Sequence, residues 1–278
     1  MDSKKGDTMI EAIKNRRSVR NYQKKALSVE DATKVQEILG FMEGQKGPFG
    51  HQVKFFFVDN KNPDGKKIGT YGFIKNPPTF IGGVVKNNLK GMVDFGYLFE
   101  QVILLLTMDR LGTVWLGGTF TRDDFLVDYD EDEIIACVSP VGYPASKSMR
   151  EKVIRGFAKA DKRLPFDELF FYGKDLGVVP INHRYHHYLE AVQVGPSASN
   201  KQPWRIVLEN QTFHFFLKRS KGYGSSLKMD IQAIDMGIAL SHLYLSLRED
   251  GHKVSFEENK PFSLEGAEYI MSIQVHDG

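Results

Sequence analysis

Apolar residues recur along the chain with two different periods, and their alternation lays out an order of elements. Thr8 with Glu11 three residues on reads as a capping box, opening a short helix with Met9, Ile10 and Ile13 on its buried side and an end near Arg17. Ser28 caps a second helix, in which Val29, Ala32, Val35, Ile38 and Leu39 fall at helical spacing. Gly44 to Gly50 reads as a loop. Val53 to Val58 is nearly continuously apolar and predicts a buried strand. Asn76-Pro77-Pro78 breaks the chain before a further strand over Thr79 to Val85. The stretch from Asp94 to Leu111 is apolar almost all round, which predicts a helix in the middle of the structure, ended by Gly112. Thr113 to Leu116 reads as a strand leading into Gly117-Gly118, and Ile134 to Gly142 as a core strand. Residues 150–171, basic and then mixed, are expected to cross the surface.

From about residue 185 the pattern restarts. A helix over Tyr185 to Val192 leads into the loop GPSASNKQP. Strands follow near Trp204 to Leu208 and Thr212 to Leu217, then a long helix from Met229 to Glu249 with Gly251 at its end. Two strands, near Val254 to Glu257 and Tyr269 to Val275, complete the order. The segment GPFGHQVKFFFVDN (47–60) matches GPSASNKQPWRIVLEN (195–210) in its opening Gly-Pro, in a Gln before the strand and in its acidic-Asn end. The two long helices both carry Asp-x-Gly, at Asp94 to Gly96 and Asp235 to Gly237, and both end at a glycine. Order, loop and spacing agree, so we read an internal duplication with halves 1–172 and 173–278. Two such halves would pack their long helices about a pseudo-two-fold axis, as an isologous dimer does.

Composition narrows the class. The 278 residues are 41% hydrophobic and 26% charged, ordinary for a packed globular chain. With 37 basic against 35 acidic side chains, neither a nucleic-acid nor a membrane-surface partner is expected. Cys137 is the single cysteine, which excludes an intrachain disulfide framework and disfavours a cysteine metal site. The start has no apolar signal core and no uninterrupted apolar run approaches the roughly 20 residues of a membrane span. The expectation is a cytoplasmic protein.

Three segments carry candidate chemistry. Arg16-Arg17-Ser18-Val19-Arg20 offers forked guanidinium donors suited to phosphate, although a solvated basic helix end has the same composition. Pro196, Ser197, Asn200 and Gln202 lie in a loop whose small residues admit close approach and whose polar side chains can converge on a ligand. Leu116-Gly117-Gly118 can present backbone N–H groups, or be a plain strand-end turn. Lys162-Arg163-Leu164-Pro165 by itself reads as a surface charge run. The cluster His183, His186 and His187 fits no common zinc spacing and reads as a surface linker.

Together RRSVRNY (16–22), GPSASNKQPW (195–204), Asp94-x-Gly96, LGTVWLGGTF (111–120), VGYP (141–144) and KRLPFDEL (162–169) resemble the nitroreductase family over most of the chain, and specifically its branch of single-chain pseudo-dimers. The resemblance implies an α+β nitroreductase-like fold and FMN bound between two units. It implies a ping-pong route in which NADH or NADPH reduces the flavin, which then passes hydride through N5 to a nitroaromatic, quinone or related small acceptor. By matching motifs, Arg16, Arg17, Arg20, Lys162 and Arg163 would hold the phosphate, and Ser18 would contact the ring or ribityl. Ser197, Asn200 and Gln202, with Pro196, would approach the ribityl and ring from the other half. Leu116, Gly117 and Gly118 would flank N5, with no separate catalytic side chain and no metal.

The chain departs from the ordinary pattern in a way that bears on the site. Its first-half loop, GPFGHQ, lacks the Ser and Asn, and its second half lacks RRSVR and the Leu-Gly-Gly segment. One complete flavin site is therefore expected per chain, in a monomer or weak homo-oligomer. The alternatives are a flavin carrier or sensor with little turnover, another flavin reaction such as dehalogenation or ene reduction, or a structural protein without cofactor.

Overall fold

The computed structural model describes residues 8–60, 65, 67–145 and 162–276. Thr8 Oγ accepts from Glu11 N at 3.2 Å while Glu11 Oε2 accepts from Thr8 N at 3.0 Å, closing the predicted capping box on α1 (Met9–Asn15). Ser28 caps α2 (Val29–Glu43). β1 (Lys54–Asp59), β2 (Thr79–Lys86) and β3 (Glu133–Val141) then form an antiparallel sheet in that order. Between β2 and β3 runs the first long helix, α3 (Leu89–Met108).

That helix begins five residues before the expected Asp94, because the Asn88 side chain accepts from Gly91 N and caps an earlier turn. It also ends earlier than expected. Arg110, not Gly112, takes the left-handed conformation, with φ 60°. Gly112 instead pairs with Gly142, and an added Cβ there would lie 3.0 Å from Val19. The predicted strand at 113–116 is not a regular one. It is held by single bridges, Ser18 to Thr113 and Leu116 to Val138.

A four-residue helix, α4 (Phe166–Leu169), leads into β4 (Phe170–Tyr172) and β5 (Gly177–Val178). After α5 (His186–Gln193) come β6 (Trp204–Glu209) and β7 (Thr212–Leu217), the second long helix α6 (Ile231–Glu249), β8 (Lys253–Glu257) and β9 (Glu268–His276). The second sheet runs β5-β4-β6-β7-β9-β8, with β4 and β6 parallel. The expectation that 150–171 crosses the surface fails at its end. Leu169 and Phe170 are fully buried, because β4 completes the second sheet's core. Residues 146–161 lie outside the described residues.

α3 and α6 pack against each other through the centre. Among the described residues α3 alone is long and apolar enough to cross a membrane, and it spends that character inside the fold. The two repeated glycines meet at the crossing. A Cβ on Gly96 would sit 2.1 Å from Ile234 O, and one on Gly237 2.0 Å from Val93 O. Only glycine lets the backbones approach this closely. The two repeated aspartates serve equivalent loops. Asp94 accepts from Phe49 N (2.8 Å) and His51 N (2.9 Å) in the first Gly-Pro loop, and Asp235 accepts from Ala198 N (3.0 Å) in the second. A carboxylate on each long helix thus holds one of the two Gly-Pro loops.

Candidate functional site

Residues beyond α1 run alongside the segment after α3. Val19 N donates to Thr113 O at 2.8 Å and Ser18 bridges Thr113 in parallel, so the basic motif and Leu116-Gly117-Gly118 lie side by side. Leu116 exchanges hydrogen bonds with Val138 on β3. The second-half loop faces them, its backbone forced into an uncommon path. Ser199, Asn200 and Gln202 all have positive φ, at 47°, 56° and 49°. Left-handed non-glycine residues persist only where surroundings over-determine them. Here the surroundings are Asp235 on Ala198 N, and Ser197 Oγ accepting from Gln202 N at 2.9 Å.

These segments enclose an open cleft of about 280 Å³, near the lower end of ordinary ligand sites. Arg16, Ser18, Arg20, Leu116, Gly117 and Gly118 line it from one half, with Arg163. Pro196, Ser197 and Asn200 line it from the other. Among the described residues, three arginines and no carboxylate border this space. An inner extension reaches Cys137, Ile234, Ile238 and Asp235. Burial pushes the Asp235 carboxyl well above the usual range, against the lowering effect of Ala198 N. Burial likewise drives the Cys137 thiol far upward, so it is an inert wall residue rather than a nucleophile.

Three predicted residues are placed differently. Arg17 is exposed and its guanidinium turns back to Lys14 O (2.6 Å) and Arg16 O (2.8 Å). Lys162 is exposed and does not line the cleft, contributing its carbonyl to Asn200 Nδ2 at 2.6 Å. Gln202 is 2% exposed, with its side chain between Leu164 N (2.9 Å) and Asn200 O (3.1 Å). Asn200 borders the cleft, but its Oδ1 accepts from Arg163 Nη1 at 2.8 Å. Asn200 and Gln202 thus fasten residues 162–164 to the second-half loop and aim Arg163. The KRLP run, a surface charge run by composition, is held in place by that loop.

Sequence reasoning missed several lining residues. Phe73, Trp115, Ser199, Tyr223 and Ile231 all border the cleft. Trp115 sits inside a quoted motif, and Asp235 inside the repeated Asp-x-Gly, so both were within reach; nothing local marks Phe73 or Tyr223. Also missed was Glu100, which is completely buried on α3. It accepts from Trp115 Nε1 at 2.8 Å, meets His242 Nε2 of α6 at 2.9 Å, and stands 3.9 Å from Arg16 Nε. His242 Nδ1 faces Ala191 O at 2.9 Å and must donate there, since a carbonyl only accepts. One carboxyl group therefore ties the cleft's basic motif and its tryptophan to both long helices.

The comparisons with known proteins agree with this architecture. The family model described as "Putative TM nitroreductase" matches residues 8–247. The chain belongs to this nitroreductase family. Its fold is shared with a structure solved as a putative nitroreductase of Thermotoga maritima MSB8, at TM-score 0.63 and 18% identity, covering 99% of this chain and 97% of that one. An FMN-dependent nitroreductase of Clostridium difficile R20291 aligns at TM-score 0.37 and 18% identity, over 49% of this chain and 88% of its own. A putative nitroreductase of Desulfovibrio desulfuricans in complex with FMN aligns at 0.39 and 18%, over 55% and 96%. No curated protein sequence matches. The α+β fold expected of a nitroreductase is thus the fold observed.

Proposed function

We propose that this nitroreductase-family chain is an FMN-dependent NAD(P)H oxidoreductase whose two halves form a fused pseudo-dimer around one flavin site. The observation that carries the reading is the cleft itself: Arg16, Arg20 and Arg163 converge on its outer part, which no carboxylate of the described residues borders. A phosphate of roughly −1.5 to −2 charge suits such a trio. The fit extends to the ring end. Among the described residues, neither Gly117 N nor Gly118 N donates to a backbone carbonyl, and both glycines border the cleft. They would serve the N5 edge, with Ser18 and Ser197 toward the ribityl, while Trp115, Ile231 and Ile234 exclude water. The flavin supplies hydride transfer when bound, so the chain's own residues need only bind, orient and shield. The glycine crossing of α3 and α6 and the paired aspartate-to-loop bonds support the duplication, with halves at 1–172 and 173–278 and β4 lying on the second half's sheet. The acceptor is a small molecule, and we place the protein in the cytoplasm as a monomer or weak homo-oligomer.

Purified protein with added FMN is expected to show a bound-flavin spectrum that bleaches anaerobically with NADH or NADPH. Bound flavin that both nicotinamides leave unbleached would favour a carrier or sensor, and no bound flavin would sink the reading. Asn200→Ala is expected to raise the FMN Kd about tenfold, equivalent to ~1.4 kcal/mol, by releasing Arg163. An unchanged Kd in a flavin titration would show that the cross-half clamp is not needed.

A further inference from the structure

Arg122 lies directly behind the glycine pair, on a short turn after the Leu116–Gly118 segment. It is half-buried, and among the described residues no carboxylate lies within ion-pairing distance of it. Its donors go to main chain and sulfur instead: Nε to Ile135 O at 3.0 Å, and Nη2 to Gly117 O at 3.0 Å, Ala136 O at 3.2 Å and Met229 Sδ at 3.2 Å. The guanidinium also covers the Phe120 ring at 4.7 Å. An arginine keeps its charge in such a place, so the fold holds an uncompensated cation against the wall of the cleft. That charge reaches inside, where it opposes the effect of burial on the Cys137 thiol.

The contact with Gly117 O has a geometric consequence. A trans peptide points its C=O and the following N–H in opposite directions. With Gly117 O held by the guanidinium, the Gly118 N–H is turned away from it, and Gly118 itself borders the cleft. The Met229 contact adds a link to the second half, two residues before α6.

We propose that Arg122 is a positioning residue that raises the reduction potential of a flavin bound in this cleft, by aligning the Gly118 N–H and by placing an unpaired positive charge behind it. The proposal rests on the flavin reading above. Reduced flavin carries more negative charge than oxidised flavin, so both effects favour the reduced form. No carboxylate or phosphate is needed to satisfy Arg122, whose donors go to main-chain oxygens and a thioether.

The test is the midpoint potential of FMN bound to the full chain, measured by anaerobic dye equilibration, for wild type, Arg122→Gln and Arg122→Lys. Arg122→Gln is expected to weaken binding of reduced relative to oxidised flavin about tenfold, a fall of about 30 mV for the two-electron couple. Arg122→Lys, which keeps the charge but not the fork, is expected to fall less. Should Arg122→Gln fail to fold, the lysine variant still has to shift downward. Folded variants with FMN bound at the wild-type potential would overturn the proposal alone. Wild-type protein that takes up no FMN would overturn the flavin reading, and this proposal with it.

Discussion

Glu100→Ala is expected to destabilise the protein by about 3–5 kcal/mol, the range for breaking a buried ionic group by removing one partner. The reason is what it leaves behind. Trp115 Nε1 loses its acceptor at 2.8 Å, His242 Nε2 faces a void where a carboxyl stood at 2.9 Å, and Arg16, 7% exposed, loses a carboxylate 3.9 Å away. Each orphaned polar group costs about 1–3 kcal/mol. The aromatic packing around Trp115 cannot close the gap easily, because Phe95 and Phe99 already meet it edge-on at 6.1 Å and 4.9 Å. Urea unfolding followed by near-UV dichroism reads this directly, as a lower midpoint at unchanged slope. Glu100→Gln keeps the shape and one acceptor for Trp115, and should recover part of the loss. An alanine variant within about 0.5 kcal/mol of wild type, the scatter of surface substitutions, would mean the network adds nothing to stability.

Gly237→Ala should damage both stability and cofactor uptake. Its Cβ would lie 2.0 Å from Val93 O, 2.6 Å from Tyr97 N and 2.8 Å from Gly96 Cα. All three are backbone atoms of a helix, so no rotamer change can relieve the clash, and α3 and α6 must move apart. Alanine recovers only about 1 kcal/mol in helix propensity. Overpacking typically costs about 1–3 kcal/mol and sometimes more, and rigid neighbours put this site at or above the upper end. The separation also reaches the cleft, since Ile231, Ile234, Asp235 and Ile238 of α6 line its inner extension. We expect a net loss of roughly 2 kcal/mol or more, together with weaker FMN binding in titration. Gly96→Ala, facing Ile234 O from the other helix, should behave alike. A Gly237→Ala protein of wild-type stability would mean that the helices do not meet at the glycines.

Much of this was legible locally. The capping box at Thr8, the Ser28 cap and the strands around β1, β2, β6, β7 and β9 follow from spacing and composition within a few residues. The apolar circumference of α3 placed it in the core, where it is. Boundaries were less legible where a side chain set them. Asn88 starts α3 early by capping Gly91, and Arg110 ends it by adopting a backbone conformation normally left to glycine.

The roles of the polar residues were the least legible part. Asn200 and Gln202 were read as ligand donors from their motif, but their partners are Arg163, Lys162 O and Leu164 N, 37 or 38 residues away in sequence. Glu100 meets His242 across 142 residues, and Arg122 reaches Met229 across 107. A side chain's hydrogen bonds depend on what the fold brings beside it, and no window of sequence contains both partners. By itself the sequence determined most of the segments that coil or extend and the apolar face of the central helix, but not all of the burial: the strand expected to be buried at 53–58 is β1, a half-buried edge strand, and Val29 is 85% exposed. The properties it did determine depend on local periodicity and on the chemistry of single side chains. Only the tertiary structure decided that the repeated glycines form the helix crossing, that β4 completes the second sheet, and that Arg122 backs the glycine pair. Each of these is a close approach between distant segments, settled by packing.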